Sequence, residues 1–366
     1  MKIVYLGRYN RSEILSGPEK VAKRLYPYMH AINKDIHFIE YFFDGREYGI
    51  FRKLFGHERF VDNNLDIKRF GIFPILLFLF RYKPDIIHLV TFERFAICAF
   101  LYKFFFNTKI IYTAHGIVTY ENHKLKKGLS FIYKLKDDLF EKIIYKYSDK
   151  IVFPSNVYAR FAENYYKPGS KKQSAIANGV DDIFTPVNHR QGNDILKMLF
   201  IGSVDRSEKG FAFLIDTLAD VDFKVDLYII SDADVNIDCP NPFVNIDVVK
   251  KMDTNDYNNF LIDKDIFVST SFVDSFSISA AEAIAAGLFP LITYETGISE
   301  YLNIKRDLFL FNYGDKNKLK ELLTTLNNNR ELITSTSEEL RKNIEGLRWV
   351  DVAAKYYQTY QGMLYE

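Results

Sequence analysis

Residues 265–301 read DIFVSTSFVDSFSISAAEAIAAGLFPLITYETGISEY, and the fold turns on this run. Its apolar segment over 266–269 predicts a buried strand, then a polar loop, a small-residue helix starting near Ser277, a second strand over 289–293 and a loop opening another helix near Gly297. Asp274 precedes the helix and Glu282 lies within it, a spacing that can place both carboxylates around one ligand. A helix start presents N–H groups without intrahelical partners and about half a positive charge. The amides of Ser275, Phe276, Ser277 and Ile278 therefore form a candidate phosphate seat. The same carboxylates would serve equally as caps of an ordinary strand-loop-helix corner.

This run resembles the donor-binding signature of the GT-B glycosyltransferases, above all family 4, in which an E-x7-E pair brackets a Gly-Phe-Gly turn. Here the pair is Asp274 and Glu282 and the turn is Ser275-Phe276-Ser277; Ala286-Gly287 and Gly297-Ile298-Ser299-Glu300 continue the match. The resemblance implies that Glu282 holds the ribose hydroxyls of a nucleotide and that Asp274 approaches the donor sugar. Upstream, Gly202-Ser203-Val204-Asp205-Arg206-Ser207-Glu208-Lys209-Gly210 is similar to the family's Gly-Arg-x-x-x-x-x-Lys-Gly loop. Lys209 and Gly210 match. Ser203 stands at the family's arginine, and Arg206 on the same loop is the candidate to replace that charge beside the departing diphosphate.

The amino-terminal half alternates short apolar runs, at 2–6, 36–43, 86–90, 110–113 and 150–154, with helical patterns, which predicts a parallel sheet covered on both faces. Ser16-Gly17-Pro18-Glu19 opens a helix after the first strand. It reads either as a cap or, by resemblance to the family's Gly-Gly-x-Glu loop, as a ligand-facing turn around Gly17. No G-x-G-x-x-G is present, which disfavours a dinucleotide dehydrogenase. His88 reads as a satisfied histidine at a strand. His115, in Thr113-Ala114-His115-Gly116, lies just past a strand's carboxyl end, where open α/β sheets bind ligands, and the family's histidine at that place contacts the donor sugar.

The chain has 366 residues, 48% of them hydrophobic, and carries a net charge of +1. That balance hides a split: 30 Lys+Arg against 19 Asp+Glu over 1–186, then 18 against 28 over 187–366. The basic half suits an anionic partner. Its cations are interleaved with bulky apolar residues, which fits an anionic bilayer better than nucleic acid. Leu129, Ile132, Tyr133, Leu139, Phe140, Ile143, Ile144 and Tyr147 recur at helical spacing, flanked by Lys124, Lys126, Lys127, Lys134, Lys142 and Lys146. That pattern is either a core helix with a solvated lysine face or a membrane-docking helix. With two cysteines, an opening Met-Lys-Ile that starts a strand, and no apolar run near 20 residues, the expectation is a cytoplasmic protein without disulfides, peripheral on the cell membrane at most.

Asn178-Gly179-Val180-Asp181 and Phe184-Thr185-Pro186 resemble the stretch closing the family's first domain, so the expected boundary lies near Pro186, with a polar linker over 188–194. The resemblance implies two Rossmann-like domains facing across a cleft: an acceptor-side domain over 1–186, a nucleotide-sugar-binding domain over 187–345, and a helix over 346–366 returning to the first. It also implies a retaining transfer of sugar from a nucleoside-diphosphate donor to a glycan or lipid-linked glycan, without metal or further cofactor, in bacterial surface polysaccharide assembly. Two other readings stay open. One is a sugar-nucleotide epimerase of the same fold; the other is a catalytically weak partner in a transferase complex, which Ser203 permits.

Overall fold

The computed structural model describes residues 1–9, 16–42, 48–125, 130–167, 169, 172–186, 195–232 and 237–365. Lys126, Lys127 and Leu129 of the basic helix pattern, Phe43, and the expected linker at 188–194 lie outside them. The chain divides into two compact units, Met1–Gly179 with Trp349–Glu366, and Val180–Arg348. The first unit thus ends ahead of the expected Pro186. Val180 already belongs to the second, because its N–H donates to Leu347 O at 2.8 Å and it bridges to Arg348.

Unit 1 is built on β1 (Ile3–Leu6), β2 (Ile36–Tyr41), β3 (His57–Asp62), β4 (Leu65–Phe70), β5 (Ile86–Leu89), β6 (Lys109–Thr113), β7 (Lys150–Phe153) and β8 (Gln173–Ala175). They form one eight-stranded sheet in the order β3-β4-β2-β1-β5-β6-β7-β8. Every pairing is parallel except β3 with β4. The β1 and β5 side chains are all buried, as strands covered on both faces must be. The β3–β4 hairpin was not foreseen. Its turn residues Asn63 and Asn64 both have positive φ, 48° and 63°, the backbone of a tight two-residue hairpin that asparagine tolerates.

The helix Gly17–Ile32 links β1 to β2 in one direction along the sheet, whereas Ile72–Tyr82, Ile97–Phe105 and Phe131–Tyr147 link β4 to β5, β5 to β6 and β6 to β7 in the other. Right-handed crossovers therefore put those three helices on the face opposite Gly17–Ile32. The last helix, Trp349–Tyr365, packs beside Gly17–Ile32. A buried polar chain pins it to the sheet: Tyr360 Oη lies 2.8 Å from Tyr5 Oη and 2.7 Å from His88 Nδ1, while Thr113 Oγ1 lies 2.7 Å from His88 Nε2 and 3.1 Å from Tyr356 Oη. Both ring nitrogens of His88 are thus satisfied, and burial lowers its pKa to about 3. Gly179 is required where the Trp349 ring lies on the backbone; a Cβ there would meet Trp349 Cδ2 at 2.2 Å.

Only part of the apolar pattern on Phe131–Tyr147 points inward. Ile132, Tyr133, Leu139 and Tyr147 are exposed, and the side packed on the unit carries Glu141, Ile144 and Tyr145. Glu141 sets that rotation. Its carboxylate accepts from Val118 N at 2.7 Å, Thr119 N at 2.8 Å and Tyr166 Oη at 2.9 Å, capping a short helix that would otherwise bury open amides.

Unit 2 holds β9 (Leu196–Ile201), β10 (Val225–Ile230), β11 (Val244–Val249), β12 (Ile266–Ser269), β13 (Phe289–Thr293) and β14 (Leu310–Phe311), all parallel, in the order β11-β10-β9-β12-β13-β14. The chain runs from β9 toward β10 on one side and from β12 toward β13 on the other. The direction reverses between β9 and β12, so a crevice opens beyond their carboxyl ends. The helical tail expected from Asp315 onward is broken into Lys316–Asn328, Glu331–Asn343 and Trp349–Tyr365.

Candidate functional site

Three loops meet at the reversal point of unit 2. After β9, residues 202–210 end in a 3-10 turn, Ser207–Lys209, and Gly210 at φ 66°. Only glycine fits at 210, since a Cβ would lie 1.9 Å from Thr270 O. The loop after β12 is stitched to it: Thr270 Oγ1 donates to Gly210 O at 2.9 Å, and Phe272 N donates to Glu208 O at 3.0 Å. The loop after β13 closes the third side, with Asp274 N donating to Glu295 O, Gly297 N to Asp274 O and Ile298 N to Phe276 O.

These ties bring Lys209 and Asp274 together. Lys209 Nζ donates to Asp274 Oδ2 at 2.7 Å, with side chains 24% and 13% exposed. Asp274 Oδ1 also accepts from Phe276 N at 3.2 Å, so of the four amides expected to seat a phosphate, that of Phe276 is already engaged by the carboxylate. The Phe276 ring is fully buried edge-on to Tyr301. Ser277 then takes φ 68° and ψ 79°, a left-handed turn at the place where the family signature has its second glycine, and no side chain caps the helix Ile278–Ala285 that follows. Ser275 and Ile278 are half-buried beside it.

Glu282 lies within this helix and is 3% exposed. Its charge adds to burial in raising the Tyr257 phenol well above its ordinary value. Arg206 does not reach Asp274: its Nε donates to Glu208, a buried carboxylate that the sequence reading passed over. Ser203 is half-buried on the same loop, its carbonyl accepting from Arg206 N at 3.2 Å.

His115 and Gly17 belong to unit 1. A recess of about 230 Å³ beyond the carboxyl ends of β1, β5 and β6 is lined by Arg8, Ser16, Glu19, Glu93, His115 and Glu121, among others. The cap reading of Ser16 holds there, since its N and Oγ both donate to Glu19 Oε2, at 3.2 and 2.8 Å. Among the described residues, no atom lies within 4 Å of a Cβ placed at Gly17. His115 Nε2 donates to Val90 O at 3.2 Å, which leaves Nδ1 as an acceptor, and burial lowers its pKa to about 4, so the ring is neutral at pH 7. Arg8 and Glu93 were missed from sequence: Arg8 Nε donates to Glu93 Oε1 at 2.6 Å, yet burial still raises the Glu93 carboxyl to about 7. The sequence signal open to view was their position after β1 and β5. No group of three or more His, Cys, Asp or Glu among the described residues is arranged to hold a metal ion.

Lys209, Asp274 and the start of the helix Ile278–Ala285 thus lie together at the mouth of the unit 2 sheet. Residues 15–183 match the family described as Glycosyltransferase Family 4, and residues 196–329 match Glycosyl transferases group 1. The chain belongs to the GT-B glycosyltransferases. Among solved structures it is similar to sucrose-phosphate synthase from Thermosynechococcus elongatus, with 14% identity, a TM-score of 0.76 and 99% of each chain covered. A glycosyltransferase from Rickettsia africae shares 17% identity at a TM-score of 0.67, covering 99% of this chain and 98% of that one. Anabaena HepE, in complex with UDP and glucose, shares 13% at 0.70, again with 99% of each covered. At these identities the likeness is one of fold. No curated protein sequence matches this chain.

Proposed function

We propose that this glycosyltransferase moves a hexose from a nucleoside-diphosphate sugar to an acceptor hydroxyl with retention of configuration. The observation that carries the reading is the Lys209–Asp274 pair at the start of the helix Ile278–Ala285. An arriving diphosphate takes the lysine, with the helix start as its second source of positive charge. Glu282 holds the ribose, and Asp274 turns to the sugar. As the bond from the anomeric carbon to the β-phosphate oxygen breaks, the acceptor oxygen bonds to that carbon on the same face, and its proton passes to the departing phosphate. HepE holding UDP supports a nucleotide of this type.

Charge neutralisation falls to Lys209 and backbone amides, so turnover persists with EDTA present; complete loss under EDTA with recovery on adding magnesium or manganese overturns this. The acceptor is a lipid-linked glycan of a bacterial surface polysaccharide, which places the protein at the inner face of the cell membrane. The direct test supplies UDP- and GDP-sugars without acceptor. Slow donor hydrolysis with the anomer retained supports the transferase; epimerised donor indicates an epimerase, and binding without turnover a catalytically weak partner.

A further inference from the structure

The three helices on one face of the unit 1 sheet, with Ile50–Phe55 beside them, expose a belt of large apolar side chains. Phe104 is 83% exposed, Phe51 and Phe131 73%, and Phe105 67%; Phe73 and Leu135 are more than half exposed. Ring contacts run along the belt: Phe51 to Phe55 at 5.2 Å, Phe55 stacked on Phe73 at 4.9 Å, Phe80 edge-on to Phe106 at 5.3 Å, and Phe100 near Tyr147 at 6.3 Å. Such a surface is far larger than scattered exposed residues on a soluble protein.

Its helices carry mainly cations, two of them paired with acids of neighbouring segments, Arg52 with Glu58 and Lys103 with Asp149. The helices Ile50–Phe55, Ile72–Tyr82 and Ile97–Phe105 contain no acidic residue at all, only Arg52, Lys53, Arg81 and Lys103. Phe131–Tyr147 does contain three acids, and all are turned away. Asp137 accepts from Arg94 Nε at 2.8 Å and Asn122 Nδ2 at 3.0 Å, Asp138 pairs with His123 at 2.7 Å, and Glu141 is buried. What the helix shows outward is Phe131, Ile132, Leu135 and Leu139 interleaved with Lys136, Lys142 and Lys146. Among the described residues no helix is long and apolar enough to cross a membrane.

We infer that this face docks on an anionic bilayer, the aromatic and aliphatic side chains entering the interface while the lysines meet lipid phosphates. Aromatic rings beside cations on an unpaired helical face are suited to the boundary between headgroups and acyl chains, whereas a protein partner of opposite charge would leave the phenylalanines without a match. The inference builds on the peripheral location proposed above but not on the donor chemistry. It shifts the weight of binding from charge to apolar insertion, so part of the binding survives salt.

Flotation with phosphatidylcholine vesicles containing phosphatidylglycerol tests it. The wild-type protein binds at low salt and keeps a measurable fraction bound at about 1 M salt, where charge is screened within about 3 Å. Phe104→Ser with Phe105→Ser lowers partitioning roughly tenfold or more at both salts. Lys136→Glu with Lys142→Glu and Lys146→Glu lowers it at low salt only. Both sets keep the thermal shift given by UDP or GDP, which separates failure of docking from failure of the donor site. Wild-type protein that ignores the vesicles, or is released entirely by salt, overturns the inference. So does self-association in sedimentation velocity that the phenylalanine variant abolishes without vesicle binding, because the face then joins copies of this chain.

Discussion

Lys209 and Asp274 come from loops after different strands, β9 and β12, and meet at 2.7 Å with nothing between them. The pair stores a cation where a diphosphate is expected and holds a carboxylate that must repel the same ligand. Asp274→Asn should therefore bind a nucleoside diphosphate more tightly, by about 1 kcal/mol for a part-exposed pair, while transferring sugar more slowly. Lys209→Ala should lower turnover roughly a hundredfold with a smaller loss in donor affinity, since negative charge on the leaving group grows as the bond breaks. Calorimetric binding beside single-turnover rates separates the two. Parallel loss of affinity and rate in both variants would mean that the pair only holds the loops together.

Ser277 at φ 68° has a conformation that costs a residue with a side chain about 1 kcal/mol. Ser277→Gly should stabilise unit 2 by part of that amount, the gain limited by glycine's greater freedom when unfolded, and Ser277→Val should destabilise it by more. Urea unfolding of the three proteins decides. If Ser277→Gly is the least stable of them, the serine side chain contributes more than its backbone costs.

The stretch at 265–301 was legible because buried parallel strands are unbroken apolar runs and the helix between them is made of small residues; β12 and β13 lie at 266–269 and 289–293 as expected. The helix at 131–147 left two readings open for a physical reason. Counting apolar positions cannot show that Glu141 is drawn inward by two open amides and a tyrosine hydroxyl, which turns part of the apolar stripe to solvent. The β3–β4 hairpin was lost in its own polarity: His57-Glu58-Arg59-Phe60-Val61-Asp62 is an edge strand with alternating burial, and only Asn63-Asn64 marked the turn. Arg8 and Glu93 escaped because they are brought together by strands adjacent in space and distant in sequence.

Glu93 gives the fold a pH signature. Burial raises its carboxyl from 4.5 to about 7, so the folded chain holds a proton that the unfolded chain has lost. Its contribution to stability is fully present below about 4.5 and is lost as pH rises through about 7. Relative to wild type, Glu93→Gln should gain stability across that window, by a span on the order of 3 kcal/mol, on top of a constant loss from the Arg8 pairing. Denaturant midpoints at pH 5 and pH 8 measure the difference. A difference between the two proteins that does not change with pH would show that Arg8 keeps Glu93 ionised throughout.

Arg206 is fixed through Nε on the buried carboxylate of Glu208, and Glu208 is itself held by Phe272 N at its carbonyl. A guanidinium anchored in that way has its two terminal nitrogens left to turn outward, and the side chain is 48% exposed. Lysine cannot serve both ends, because its single ammonium would have to choose between Glu208 and a phosphate. If Arg206 supplies the charge missing at Ser203, Arg206→Lys should lose nearly as much kcat/KM for the donor as Arg206→Ala, roughly tenfold or more. Adding Ser203→Arg to Arg206→Ala should then recover most of the loss, since the new side chain starts on the same loop. Should Arg206→Ala leave kcat/KM unchanged and Ser203→Arg add nothing, the Arg206–Glu208 pair is a clamp on the loop, and Lys209 acts on the leaving group with the helix start alone.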